Sequence, residues 1–401
     1  MALGCLVYFS EQVQQLNNIK QPNAMKKITF YQIALVSFLL LFSLAGYSLT
    51  ITSIQAGDWS NAATWDGGVI PAIGDAVIIN HHITVGADRT IGTGTGIAIS
   101  INNDGTLTLN QNVHLTVRGD INASGDITLA AGSEIWMDTE SPSVIQLTPG
   151  TTMAHLQING TTAQHCSVKA IGSAHTRVTD NDETGGGRIV ATYCDFIRLG
   201  GDPDFRALQF IPPGSGEHYS FVNCTFDQCS QTKVNGNKTF EVEPGSYLEF
   251  IDCIWTNSVV KTNLEQYEEW NIFETWWEYG ATAKLIHCDF DKRVALHLSK
   301  DYEIEDCVFR DGIHRFTGVY WGGVLKSFKR NFIRWDGEGP EVGFEYGNSL
   351  IDCVFIIDNL LLNGEGGIVS ACTHLPETGV LPLLPYHFSS RKTIRGSVVL
   401  L

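Results

Sequence analysis

The sequence predicts an all-β chain, a right-handed parallel β-helix solenoid with a β-rich N-terminal region, and three observations carry that reading. The first is a phrase, Phe/Leu/Ile-x-x-Cys-x-Phe/Trp, that returns through the second half of the chain. It reads Phe221-Val-Asn-Cys224-Thr-Phe226, Phe250-Ile-Asp-Cys253-Ile-Trp255, Leu285-Ile-His-Cys288-Asp-Phe290, Ile304-Glu-Asp-Cys307-Val-Phe309 and Leu350-Ile-Asp-Cys353-Val-Phe355. Looser copies stand at Ala191-Thr-Tyr-Cys194-Asp-Phe196 and at Phe328-Lys-Arg-Asn331-Phe-Ile333, where Asn takes the Cys place. Successive key positions are 30, 29, 35, 19, 24 and 22 residues apart, at or near the repeat lengths of solenoids. The second observation is the alternation inside each phrase, which puts Cys and the aromatic two positions later on one strand face; the economical expectation is one strand per coil. The third is composition: 40 glycines in 401 residues, with short strands between turn residues, favour an all-β solenoid over a helical one.

The elements follow in chain order. Met25-Lys26-Lys27, the apolar run from Ile28 to Leu44 and Gly46-Tyr47-Ser48 have the charged, apolar and small-residue sections of a secretory signal peptide. Residues 1–48 are read as that signal, with Met25 as the true start, and the mature chain is expected to be secreted, in the extracellular medium or at the cell surface. The competing reading is an uncleaved anchor, since the run nears the length of a bilayer span; only through it would a membrane be a partner. The formal net charge is −17, and without residues 1–48 it is −19, because that segment holds Lys20, Lys26, Lys27 and Glu11. Such a surface repels nucleic acid, which is excluded as a partner, and favours cations or neutral ligands.

Residues 49–139 read as a β-rich domain of short alternating strands: Ala76-Val-Ile-Ile79, His82-Ile-Thr-Val85, Ile97-Ala-Ile-Ser-Ile101, Thr106-Leu-Thr-Leu109, Val113-His-Leu-Thr-Val117 and Asp126-Ile-Thr-Leu129. Asn103-Asp-Gly105, Arg118-Gly-Asp120 and Ala123-Ser-Gly125 punctuate them as turns. At its start, Gly57-Asp-Trp59-Ser, Thr64-Trp65, Gly67-Gly68, Pro71 and Gly74-Asp75-x-Val77-x-Ile79 resemble the eight-glycine ("G-eight") domain. That domain lies on the N-terminal side of secreted and cell-surface β-helix proteins of pectate-lyase-like build. The resemblance implies an extracellular, glycan-associated module and carries over no catalytic residue.

Residues 140–401 are expected to form the β-helix. Residues 140–190 are read as a transition with a rung at Leu156-Gln-Ile158 and Cys166-Ser-Val168, the Cys-phrase solenoid follows to about residue 360, and the chain stops in the strand-like run Arg395-Gly-Ser-Val-Val-Leu-Leu401, an open sheet edge expected to continue or to be capped by a partner. The cysteines left after signal removal sit mostly in the repeated phrase among core residues and are odd in number. Buried, reduced thiols are therefore predicted in place of a disulfide framework, with Cys224 and Cys229 the exceptions to watch.

Three places are candidates for chemistry. If the key Cys points inward, its neighbours point outward and neighbouring rungs align them about 4.8 Å apart. Asp291, Arg310 and Arg334 then form one column, beside His287, Asp306 and Arg330. The arginines suit the carboxylates of an acidic polysaccharide, and His287, Asp291, Arg310 and Arg334 are the candidate catalytic set for proton abstraction beside a uronate or for hydrolysis, with Arg330 assisting binding. The competing reading is a ladder of solvated salt bridges. The second place is the aromatic-acidic segment 264–279, where Trp270, Trp276, Trp277 and Tyr279 are candidate sugar-stacking residues and Glu268, Glu269, Glu274 and Glu278 an acid/base reserve. Helical spacing of Tyr267, Trp270, Phe273 and Trp277 competes with that, as a short amphipathic helix. The third is the loop holding Asp180, Asp182 and Glu183, whose oxygens are the candidate ligands for calcium, the one cofactor considered; a solvated acidic turn competes. The function expected is binding, and in one version cleavage, of an extracellular polysaccharide; the alternative is a non-catalytic surface or adhesion module.

Overall fold

Alternation decides the architecture. In Thr106–Leu109, His114–Val117 and Asp126–Leu129 every second residue is buried, so each strand turns one face to a core and one to solvent. The computed structural model describes residues 49–148, 154–180, 187–201, 206–210, 219–234, 247–259, 272–275, 282–298, 302–311, 313–318, 326–334, 342–344, 349–351, 353–356, 360–362, 368–370, 373–375 and 399–400. Its strands stack in three parallel sheets of 13 strands each. The chain visits them in rotation. Ala76–Ile79 lies in sheet 1, His82–Val85 in sheet 2 and Arg89–Ile91 in sheet 3, and Ile97–Ile101 then returns beside Ala76–Ile79. The fold is an all-β parallel β-helix, and sheet 1 passes residue 140 without a break, Asp120–Ala123 pairing with Ser143–Leu147. Leu156 and Val168 lie in strands Ala154–Asn159 of sheet 2 and Cys166–Ala170 of sheet 3, on a coil that follows earlier ones in the same sheets.

The expectation of one strand per coil is corrected. Each repeated phrase spans a bend between two strands. Thr282–Ile286 belongs to sheet 2, His287 turns the chain with φ 52°, and Asp289–Phe290 belongs to sheet 3. Tyr193, Asn223, Asp252, Asp306 and Arg330, each one residue before the key position, take the same left-handed conformation. One such residue reverses the side-chain alternation locally, so the phrase keeps Cys and its aromatic inside just as a straight strand would.

Inside, equivalent residues stack on one another. Phe196, Phe226, Trp255, Phe290 and Phe309 form a column with successive ring centroids 5.1, 4.5, 4.4 and 5.2 Å apart. Phe221 and Phe250 stack beside it at 4.7 Å. The thiols form a second column in which each sulfur donates to a carbonyl of the preceding coil: Cys253 to Phe221, Cys288 to Phe250 and Cys307 to Leu285, each at 3.3 Å. All eight described cysteines are free and buried, Cys224 and Cys229 among them, and burial pushes the Cys229 thiol up to about 12. Asn331 keeps the column's hydrogen bonding from the Cys place, accepting from the Cys307 N–H and donating to the Ile304 carbonyl, both at 2.9 Å. At the N-terminal end, Trp59 and Trp65 are buried edge to face at 5.1 Å, and the Trp65 indole donates to the Trp59 carbonyl at 2.7 Å.

Candidate functional site

The corner between sheets 2 and 3 carries one expected column and the far ends of the sheet 3 strands carry the other. Ile286 pairs with Glu305 and Glu305 with Lys329, so the next residues on, His287, Asp306 and Arg330, stand side by side on successive coils. Phe290 pairs with Phe309 and Phe309 with Ile333, which aligns Asp291, Arg310 and Arg334. Register thus aligns Asp291, Arg310 and Arg334 in one column and His287 in another, with Asp306 and Arg330.

The side chains then pair among themselves. Arg310 forks onto Asp289, Nε to Oδ1 at 2.7 Å and Nη2 to Oδ2 at 2.5 Å, and this keeps its guanidinium protonated even beyond the usual arginine range. Arg330 forks onto both Asp306 oxygens at 2.7 Å and reaches Glu305 at 2.8 Å. Hydrogen bonding to Arg330 holds the Asp306 carboxyl below its ordinary value. Burial tends to raise Glu305, but bonds from Ser327 and Arg330 outweigh it and the net shift is downward. His287, 57% exposed, lies between two carboxylates, with Nδ1 3.2 Å from Asp252 and Nε2 3.5 Å from Asp306. Asp291 accepts from the Ser258 N–H at 2.9 Å through Oδ2, while its Oδ1 is buried with no partner. Arg334 ends the strand Phe332–Arg334, exposed.

The other two candidate places are only partly described. Trp270, Trp276, Trp277, Tyr279, Glu268, Glu269 and Glu278 lie outside the described residues, as do Asp182 and Glu183. Within the aromatic segment, Phe273 corrects the helical expectation. Phe273–Thr275 is a strand of sheet 1 paired with Thr232–Val234, and Phe273 is buried against Trp255, because an inward ring gains more from the core than from a flanking helix. Asp180 ends the strand Thr176–Asp180 inside the barrel, wholly buried, with its carboxylate against the Tyr219 hydroxyl. Among the described residues no group of three or more His, Cys, Asp or Glu is placed to hold a metal ion.

One polar cluster escaped the sequence reading. On the outer face of sheet 3, Trp136 stacks on His114 at 4.9 Å, and the Lys169 ammonium sits 4.2 Å from its ring centroid. Glu134 ties the cluster together, taking bonds from Lys169 at 2.6 Å, Ser167 at 2.7 Å and the Trp136 indole. The outward spacing of Glu134-x-Trp136 and Ser167-x-Lys169 was the available signal, but only the register between those strands makes them neighbours. No family model, curated protein or solved structure matches the chain.

Proposed function

We propose that this chain is a secreted, non-catalytic β-helix module that presents its ordered polar corner to a neutral extracellular polysaccharide. The observation that carries the reading is the occupancy of the guanidinium forks: Arg310 is held by Asp289, and Arg330 by Asp306 and Glu305. A uronate carboxylate would have to displace these bonds and overcome the repulsion of a chain carrying −17. A carboxylate on one ring nitrogen would suit a general base, but His287 has both nitrogens turned to carboxylates, Nδ1 to Asp252 and Nε2 to Asp306, which leaves neither directed at a substrate proton. Neutral sugar hydroxyls have no such conflict. They can bond to exposed carboxylate and imidazole edges that recur about every 4.8 Å along the solenoid. The resemblance of Gly57 to Ile79 to the eight-glycine domain supports an extracellular, glycan-associated setting.

The test is to pass the secreted chain over immobilised neutral and uronic-acid polysaccharides, with and without calcium, while following new reducing and unsaturated ends in solution. Retention on a neutral glycan without product is expected. Failure to bind any neutral glycan removes the ligand class, and appearance of product removes the non-catalytic claim.

A further inference from the structure

A strip of sheet 3 between the two polar columns changes character along the solenoid. Its outward residues follow one register from coil to coil. His114 pairs with Glu134, Glu134 with Ser167, Ser167 with Asp195 and Asp195 with Thr225, all polar, as the wet face of a sheet requires. The same row runs on through Ile254, Asp289, Val308 and Phe332, and there it turns apolar. Ile254 is 47% exposed, and Val308 and Phe332 are partly exposed on the same face. Single apolar residues on a surface need no explanation; a row that keeps its register while losing its polarity does.

The row is bordered on both sides. Two positions before its members stand Asp252, His287, Asp306 and Arg330 at the corner, and two positions after them stand Thr256, Asp291, Arg310 and Arg334. Its one acid, Asp289, is taken by the Arg310 fork at 2.7 and 2.5 Å. The fork brings a flat, weakly hydrated guanidinium to the row at that coil, so the break in the apolar floor is covered. The result is an apolar strip one residue wide with polar rims, and its charges are matched within the chain, Arg310 by Asp289 and Arg330 by Asp306 and Glu305.

The dimensions select the occupant. A stable protein interface takes about 800 Å² from each partner, and a strip one side chain wide does not supply an apolar patch of that breadth. A sugar ring does fit. Its faces carry C–H groups and its edge carries hydroxyls, and the coil spacing of about 4.8 Å is close to the advance of one ring along an extended chain. Flat β-linked chains of the cellulose or mannan type are extended, with hydroxyls along both edges, whereas α-linked glucans curl and leave a straight row after a ring or two.

We infer that this strip is the floor of the glycan site. An extended, β-linked neutral chain lies along the solenoid axis with ring faces on Ile254, Val308 and Phe332. Its edge hydroxyls bond to the corner residues on one side and to the Arg310 column on the other. This placement rests on the reading of the chain as a binder of neutral polysaccharide, and adds the direction and the linkage class of the ligand.

Calorimetric titration with soluble neutral oligomers tests it. The chain should bind an extended β-linked glucan or mannan oligomer and not an α-linked glucan of equal length. Phe332→Ser and Ile254→Ser should each weaken binding about tenfold, the loss of an apolar anchor, while Ile97→Ser, which replaces an exposed isoleucine of sheet 1, should leave it unchanged. Ile254 is exposed enough for its replacement to spare the fold, so one variant decides even if the other is destabilised. Binding that both strip variants retain, or preference for the α-linked oligomer, overturns the inference and leaves the neutral-glycan reading standing. Failure of the wild type to bind any neutral glycan removes both. Self-association that Phe332→Ser abolishes assigns the strip to a second copy and also overturns it.

Discussion

Replacing Trp255 tests the stacked core most directly. The indole is 1% exposed, lies between Phe226 at 4.5 Å and Phe290 at 4.4 Å, and meets Phe250 and Phe273 at its edges. Truncation to Ala removes a large buried ring from a close-packed column, a change that costs about 3–5 kcal/mol in comparable cores. The two stacked faces add about 0.5–1.5 kcal/mol each beyond area. Against this stands the indole N–H, which is buried with no partner and whose removal returns about 1–3 kcal/mol. Trp255→Ala should therefore cost about 4 kcal/mol on balance. Trp255→Phe is different, because Phe already fills this place in the coils of Phe226 and Phe290. It leaves a smaller void and removes the orphan donor, so it should fall within about 1 kcal/mol of wild type. Coils of a solenoid need not open together. The suitable assay is therefore amide hydrogen exchange of Thr225–Asp227, Ile254–Thr256 and Asp289–Phe290. If Trp255→Phe lowers their opening free energy as much as Trp255→Ala, stacking against flat neighbours is not what holds this column.

Two further predictions follow from the same packing. The eight described thiols should stay silent to a thiol-titrating disulfide reagent in the native Cys5→Ser, Cys372→Ser chain and react on unfolding, because burial raises Cys194, Cys253, Cys288 and Cys307 well above the ordinary thiol range; rapid native reaction of that variant would contradict the inward column. For Glu134, burial pushes the carboxyl up but bonds from Lys169, Ser167 and Trp136 outweigh it, and the net shift is downward. Its contribution is thus present above the unfolded glutamate value and lost as pH falls through the lower folded value; Glu134→Gln should flatten the acid limb of a pH-stability curve, and an unchanged limb would refute the assignment.

The inward register was legible because Cys and the aromatic keep a fixed separation wherever the phrase recurs. The number of sheets was not. A turn is normally announced by Gly where φ is positive, yet here that place is taken by Asn223, Asp252, His287 and Asp306, types that tolerate the left-handed region better than most, and by Tyr193 and Arg330, which carry no such signal. Tyr193, Asn223, Asp252, His287 and Asp306 share a backbone donor matched to the next coil: the His287 N–H bonds the Glu305 carbonyl at 3.0 Å and the Asp306 N–H the Lys329 carbonyl at 3.1 Å. The ladder pays the strain, and it is invisible to a reading of one strand at a time. The aromatic segment misled for a related reason, since Phe273 fits a helical period and a strand face equally well until Thr232–Val234 is known to lie beside it.

The same logic bears on the polar corner. Counting outward positions aligns the columns His287, Asp306, Arg330 and Asp291, Arg310, Arg334 and leaves two readings, a ligand site and a ladder of solvated salt bridges; the described side chains form salt bridges. Arg310 reaches diagonally to Asp289, the outward residue two positions before Asp291. On a parallel sheet every outward side chain has neighbours one coil above and below at about 4.8 Å, close enough for a long cation to find an acid without help from outside. Mixed charges in register therefore neutralise one another by default, and their presence on a β-helix is weak support for catalysis. A site for acidic sugar in this fold would need cations in excess of the acids around them, whereas here Arg310, Lys329 and Arg330 are matched by Asp289, Glu305 and Asp306. That mutual pairing, more than the alignment of the columns, directs the search toward neutral ligands.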